Sequence, residues 1–366
     1  MRRRYNTLPI AALALCATVA LAACGGDDNK DSGKSGGGKT IALLLPETKT
    51  TRYEAHDRPN FTRKVKELCP DCKVLYSNAV QDPAKQQTQA EAALANGADV
   101  LVLDAVDAKA ATGIVQQAKQ AKVPVLAYDR LIPNADLAYY VSFDNVRQGK
   151  IQAQTLLDKL GAGAKGKSIV MINGAPTDPS AGDYKNGAHQ VLDGSGVKIA
   201  KEYDTPDWSP DKAQRQMEQA ITALGKSGFV GVYSANDGMA GGAIAALKSS
   251  GVDPKQVPIT GGDAEVAAIQ RILAGDQYST IYLTIKKQAD VSAQLAVAAA
   301  KGESPPAGLL TGKVDNGAKQ VPSVLLTPVA VTKENVNDTV VKDGFLDPAE
   351  ICSGKFASAC SSAGVG

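Results

Sequence analysis

Histidine, tryptophan and net charge are all scarce in this chain, and each scarcity removes a class of function. Only His56 and His189 occur in 366 residues, and no Ser or Cys nucleophile with a supporting acid can be assembled beside either. His189 falls in the helical pattern KNGAHQVLDG and reads as a solvated residue. Lys and Arg number 40 against 38 Asp and Glu, which gives no electrostatic case for nucleic acid. Beyond the first two dozen residues no apolar run is long enough to span a bilayer. Aromatic residues make up 5% of the chain, and the single tryptophan, Trp208, lies between two prolines in YDTPDWSP.

The start of the chain is not fold. MRRRYNTLPIAALALCATVALAAC opens on arginines, continues with an apolar run too short for a comfortable span, and ends at small residues, the pattern of a secretory signal over residues 1–23. Its end, LAAC, resembles the bacterial lipobox, so Cys24 is expected to become a lipid-bearing N-terminus. Residues 24–39 are a Gly/Ser/charged tether. Within them GKSGGGKT fits the phosphate-loop spelling. That loop needs a strand before it and a helix after it, whereas here a tether precedes and the strand IALLL follows. No cofactor or metal site is expected.

Once Cys16 leaves with the signal and Cys24 takes lipid, four cysteines remain, an even number in an exported chain. They read as two local disulfides, Cys69–Cys72 and Cys352–Cys360. A redox role for CPDC would want the pair at a helix start in a thioredoxin-like unit, but this pair ends a helical stretch before KVLYS.

From Lys39 onward, short apolar runs (IALLL, KVLYS, DVLVLD, VPVLAYD, YYVSFD, SIVMING, VKIAKEYD, FVGVYSAND, VPITGGD, STIYL) alternate with Ala-rich amphipathic segments that begin at Pro or Asp and end at Gly. This is an α/β chain with parallel sheets covered on both faces. There are too many units for one sheet, so two Rossmann-like doubly wound lobes are expected. Residues 99–129 and 229–263 repeat one plan: apolar strand, polar pair, small-residue helix, a VP-initiated strand, then Asp.

Ligands in open parallel sheets sit beyond the carboxyl ends of the strands. Those ends deliver Glu47, Asp104, Asp129 with Arg130, Asp178, Asn236 with Asp237, and Asp263. Helix capping explains a lone Asp after a strand, and Asp104 and Asp237 are assigned to caps. Caps do not need Arg. Carboxylates, amides and a guanidinium at one sheet edge in both lobes suit a neutral polyhydroxyl ligand, each hydroxyl donating to an acid and accepting from Arg or Asn. Trp208 is the candidate flat face for sugar C–H groups. The pair Asp129 and Asp263 could imitate a glycosidase, but Arg130 would hold Asp129 ionised, which is wrong for a general acid.

VLAYDRLIPNADLAYYVSFDN, SANDGMAGGAI, GGDAEVAAIQRILAGDQ and VPSVLLTPVAVTKENVNDTVVKDGF closely resemble bacterial periplasmic xylose-binding proteins, members of the ribose-like solute receptors of ABC sugar importers. The resemblance implies the type 1 periplasmic binding protein fold, two lobes joined by a three-strand hinge and closing on one pyranose. By position it assigns Arg52, Tyr53, Asp129, Arg130, Asp178, Ser180, Trp208, Asn236 and Asp263 to the ligand. Leu283 stands where those proteins place a Lys that reaches the sugar, and Tyr53 where Trp is usual, so D-xylose is the leading member of a class of aldopyranoses. Lobe 1 is expected over 40–144 plus 284–325 and lobe 2 over 145–283 plus 326–366. The expected protein is a non-catalytic monomer, held at the outer face of the cytoplasmic membrane by lipid alone. It would deliver a monosaccharide to an ABC permease with its ATPase. The alternatives are a sensor subunit for a membrane kinase and a secreted carbohydrate-active enzyme.

Overall fold

The computed structural model describes residues 38–365; the signal segment, Cys24 and most of the tether lie outside them. In chain order the first stretch runs β1 (Thr40–Leu45), α1 (Arg58–Leu68), β2 (Lys73–Asn78), α2 (Pro83–Ala95), β3 (Val100–Leu103), α3 (Thr112–Gln120), β4 (Val125–Tyr128) and β5 (Tyr139–Phe143). Next come α4 (Asn145–Leu160), β6 (Ser168–Asn173), α5 (Pro179–Leu192), β7 (Lys198–Asp204), α6 (Pro210–Leu224), β8 (Val232–Ser234), α7 (Asp237–Ser249), α8 (Val266–Ala274) and β9 (Ser279–Tyr282). The chain finishes with α9 (Ile285–Lys301), β10 (Gly312–Asp315), β11 (Gln320–Leu326), β12 (Val329–Thr332), α10 (Pro348–Ile351) and α11 (Ala357–Ala363).

The larger sheet has the order β10-β11-β5-β4-β3-β1-β2 and is parallel except for β10. Its central strands are apolar without a break because both faces are covered. In β1, Ile41, Leu43 and Leu45 enter one core with Val100 and Val102, while Ala42 and Leu44 enter the other with Leu101 and Leu103. The second lobe holds the parallel sheet β7-β6-β8 around its own core. The chain leaves the larger sheet after β5, returns through α9, which packs on α1 and β3, and leaves again after β11.

Helix starts follow local chemistry. Asp82, Asp178 and Ser209 each cap a helix whose first residue is proline: α2, α5 and α6. The side-chain oxygen takes an amide the helix cannot pair, and proline there has no amide to leave unpaired.

Two expectations change. VPITGGD is not a strand: only Ile259 bridges to Val232. Thr260 Oγ1 receives the Ser234 amide (2.9 Å), in place of a ladder carbonyl, and Asp263 at φ 93° turns the chain away. The sheets are also not wholly parallel, since β10 with β11 and β9 with β12 pair antiparallel.

Both expected disulfides form, Cys69–Cys72 at the end of α1 and Cys352–Cys360 between α10 and α11, with Cα separations of 5.2 and 5.6 Å. The second fastens the C-terminal segment, whose Ile351, Cys360 and Val365 pack on Ile272 and Leu273 of α8. Cross-linking residues eight apart removes unfolded-chain entropy worth about 2.5 kcal/mol. Replacing Cys352 and Cys360 together by Ser is expected to lower unfolding free energy by about that amount in chemical denaturation. Equal midpoints with and without reductant would show that neither bridge contributes.

Candidate functional site

β4 ends at Tyr128, and the next residue takes a left-handed backbone, Asp129 at φ 62°. Four hydrogen bonds hold that turn. The Asp129 amide donates to Val141 O (2.8 Å), the Arg130 amide to Tyr128 O (2.7 Å), and Ser142 Oγ (2.6 Å) and Tyr140 Oη (3.3 Å) donate to Asp129 O. The turn peels the chain off the sheet and lets two consecutive side chains, acid and base, line one cavity.

Both guanidiniums there are buried, Arg52 with 4% and Arg130 with 2% of its surface exposed. Arg52 grips Asp57 with two bonds (Nε 3.0 Å, Nη2 2.9 Å), reaches Asp129 Oδ1 (3.3 Å) and donates to Gln288 Oε1 (2.7 Å). Gln288 Nε2 in turn donates to Asp129 Oδ1 (2.9 Å). Arg130 donates to Ala105 O (2.9 Å) and Tyr53 Oη (3.3 Å), and its Nε lies 2.8 Å from Asp178 Oδ2 and 3.4 Å from Asp104 Oδ1. Burial alone lowers an arginine pKa. The electrostatic pull of Asp129 and Asp57 on Arg52, and above all of Asp178 on Arg130, outweighs it, so both stay cationic.

The second lobe supplies the opposite wall. Asp178 caps α5, its Oδ1 accepting from the Ser180 amide (2.8 Å), while Oδ2 accepts from Trp208 Nε1 (3.2 Å). The indole lies against Gly174, where a Cβ would stand 2.0 Å from the ring, so no other residue fits there. Tyr184 meets Trp208 edge-on, ring centroids 6.3 Å apart. α4 and α5 approach through Gly149 and Gly187, where a Cβ would come within 2.0 Å of the facing backbone; this brings Gln148 and Tyr184 to the cavity together. Asn236 caps α7 through Oδ1, which accepts from the Met239 amide (3.0 Å), leaving its amide nitrogen for the cavity. Asp263 lines the cavity and accepts no side-chain hydrogen bond from the described residues; burial pushes its pKa well up, against the pull of Arg52.

Eight of the nine expected residues thus meet around about 340 Å³ of atom-free space, part of it open to solvent. Ser180 stands apart, its hydroxyl accepting from Asn145 Nδ2 (3.1 Å). Asp104 and Asp237 are not caps. Asp104 is fully buried beside Arg130, and burial, partly offset by Arg130, holds its pKa well above the carboxylate range. Asp237 braces the second lobe, accepting from Gln277 Nε2 (2.7 Å), Thr280 Oγ1 (2.8 Å) and the Glu265 amide (3.0 Å). Glu47 is taken up by the amides of its own turn, Lys49 and Thr50. Leu283, 1% exposed, sits in the first lobe's core. Neither histidine lines the cavity: His56 stacks on Phe345 at 4.2 Å, and His189 pairs with Asp193 and Glu202. Thr50, Gln148 and Tyr184 line the cavity without having been anticipated.

Carboxylates, a guanidinium pair and amides around one indole can bracket a ligand that offers hydroxyl donors and acceptors on its edge and C–H groups on its face. Comparison with known proteins agrees with such a vessel. Residues 41–304 match the family described as periplasmic binding protein domain. This chain belongs to that family. The D-xylose-binding periplasmic protein of Escherichia coli K12 is 36% identical over 315 residues, 85% of this chain and 92% of that one. Its counterpart in Haemophilus influenzae is 38% identical over 309 residues, 83% and 90%. Among solved structures, an ABC transporter solute binding protein from Clostridium phytofermentans with bound β-D-glucose superposes with a TM-score of 0.79 at 27% identity. It covers 86% of this chain and all of that one. The family's two-lobed architecture is the one built here from the strands upward.

Because Trp208 is the sole tryptophan and Gly174 its floor, Gly174→Ala is expected to shift tryptophan emission to longer wavelength as the ring is driven toward water, with the far-UV circular dichroism unchanged. An unmoved emission maximum would mean that the ring does not rest on that glycine.

Proposed function

We propose that this chain is an exported receptor that captures a neutral monosaccharide, D-xylose or a related aldopyranose, between its lobes and delivers it to an ABC permease, without catalysis. The observation that carries this is the cavity itself. Arg130 from the first lobe is ion-paired with Asp178 from the second, and beside them the Asp263 carboxyl and the Asn236 side-chain nitrogen line the cavity with no hydrogen-bond partner among the described residues. Enclosure makes each hydrogen bond to the ligand count and each missing one costly. The connections after β5, β9 and β11 would act as the hinge, with ligand that touches both lobes favouring the closed form. Lipid on Cys24 would keep the receptor near its permease. At the position where the xylose proteins are expected to carry a Lys, Leu283 offers no donor, which widens the candidate sugars beyond xylose.

A calorimetric and thermal-shift screen of aldopentoses and aldohexoses on the mature domain tests the reading. Micromolar binding, about 8 kcal/mol, is expected for at least one sugar. Arg130→Ala would strip both Asp178 and Asp104 of their cation, so it should depress stability as well as binding, by about 3–5 kcal/mol of folding. Asp263→Ala is the cleaner probe, since it breaks no bond within the protein. It is expected to weaken sugar binding about tenfold to a hundredfold while the ligand-free melting temperature holds or rises. Undiminished affinity in Asp263→Ala, or indifference of the wild type to every sugar, would end the proposal.

A further inference from the structure

Five buried glutamines support the two lobes, and four of them have both ends of the amide occupied. Gln86 spans Asp104 O and the Val106 amide (2.7 and 2.9 Å). Gln152 donates to Gly261 O (2.8 Å) and accepts from Tyr233 Oη (3.1 Å). Gln277 links Asp237 to Arg271, and Gln288 links Asp129 to Arg52. Gln148 is the exception. It is 1% exposed, and among the described residues its side-chain Oε1 has no hydrogen-bond partner and its side-chain Nε2 donates to none.

Its place gives that vacancy a direction. Gln148 is in the first turn of α4, one turn before the fully paired Gln152, and it lines the cavity with Asn236 and Asp263. Its Nε2 lies close over Gly262, where a Cβ would stand 3.3 Å away. The close approach at Gly149 and Gly187 fixes the backbone of α4, and with it the Cα of Gln148, against α5. An unpaired buried amide costs free energy unless something satisfies it. The other four buried glutamines have both ends satisfied within the protein. Buried atoms such as Gln89 Oε1 and Asn173 Oδ1 are also left without a partner, but Gln148 alone of the three lines the cavity.

We infer that Gln148 is a direct ligand-binding and specificity-determining residue, its amide both donating to and accepting from one ring or exocyclic hydroxyl of the bound monosaccharide. The inference rests on the sugar-receptor reading and deepens it. An amide meets a hydroxyl with a donor and an acceptor, whereas an ammonium is a donor only. The site would therefore select for the presence of that hydroxyl, because a sugar lacking it leaves both ends of a buried amide unmatched.

Titration calorimetry with D-xylose, L-arabinose, D-ribose, D-glucose and D-galactose, and with the monodeoxy derivatives of whichever bind, decides the matter on wild type and Gln148→Leu. Loss of about tenfold or more in affinity for the parent sugar is expected in the variant. One monodeoxy derivative should bind the variant and the wild type equally, because the hydroxyl it lacks is Gln148's partner. Gln152→Leu serves as the control, lowering melting temperature while keeping the wild-type deoxy profile. If Gln148→Leu fails to fold, Gln148→Asn withdraws the amide by one methylene and is read the same way. Affinities within twofold of wild type, or an equal loss for every derivative, would overturn the assignment and leave the receptor intact. A wild type that binds none of these sugars would instead overturn the receptor reading, and this inference with it.

Discussion

Two arginines held away from water are the constraint around which this site is organised. Burying a guanidinium costs several kcal/mol unless carboxylates and hydrogen bonds surround it (about the same again is lost if one partner is then removed). Arg52 meets that requirement with Asp57, Asp129 and Gln288, and Arg130 with Asp178, Asp104 and the Ala105 carbonyl. These partners come from the turn before α1, the ends of β3 and β4, the start of α5, and α9. Satisfying the charges therefore fixes five separate pieces of chain relative to one another. Rigidity at the binding wall follows from electrostatics, and the ligand meets groups already oriented.

Backbone strain sits in the same place. Asp129, Trp208 and Asp263 all have positive φ (62°, 52° and 93°), conformations that non-glycine residues adopt at a cost of about 1–3 kcal/mol each. Each has a compensating arrangement. Four backbone and hydroxyl bonds hold Asp129, Gly174 accommodates the Trp208 ring, and the Asp263 amide donates to Ile281 O (3.0 Å). In every case the residue with the unusual φ lines the cavity. Glycine would take those conformations without strain, but it has no carboxylate or ring to offer.

Much of this was legible in sequence because strand ends are positional markers. An apolar run followed by Asp-Arg says where the chain leaves a parallel sheet, and ligands gather at that edge. Asp104 and Asp237 defeated the same rule. A capping Asp needs the helix to begin at once, yet α3 starts only at Thr112, and Asn236 occupies the cap that Asp237 was given. Gln148 was hidden for another reason. In DNVRQGKIQAQ a polar residue on an amphipathic helix reads as solvent-facing, and nothing local says that the helix end abuts a cavity. The available signal was Gly149, with Gly187 on the facing helix, since paired glycines mark where two helices touch backbone to backbone. VPITGGD departs from the strand expected of it because its repeat with VPVLAYD is one of sequence plan, while Thr260 Oγ1 takes the Ser234 amide and Asp263 turns the chain away.

The charge pattern of the open groups also limits what can enter. Asp129 and Asp178 line the cavity paired to the arginines, so an anionic ligand would meet carboxylates whose partners Arg52 and Arg130 are already engaged. A cationic ligand would have to approach two guanidiniums fixed within a few ångströms of those acids. An uncharged molecule incurs neither penalty and gains charge-assisted hydrogen bonds from both signs. Aliphatic alcohols of that kind would leave the Trp208 face unmatched, whereas a pyranose presents a flat C–H surface opposite its hydroxyl edge. Neutral charge, hydroxyls on the edge and an apolar face are three separate demands of this cavity, and a single sugar ring meets all of them.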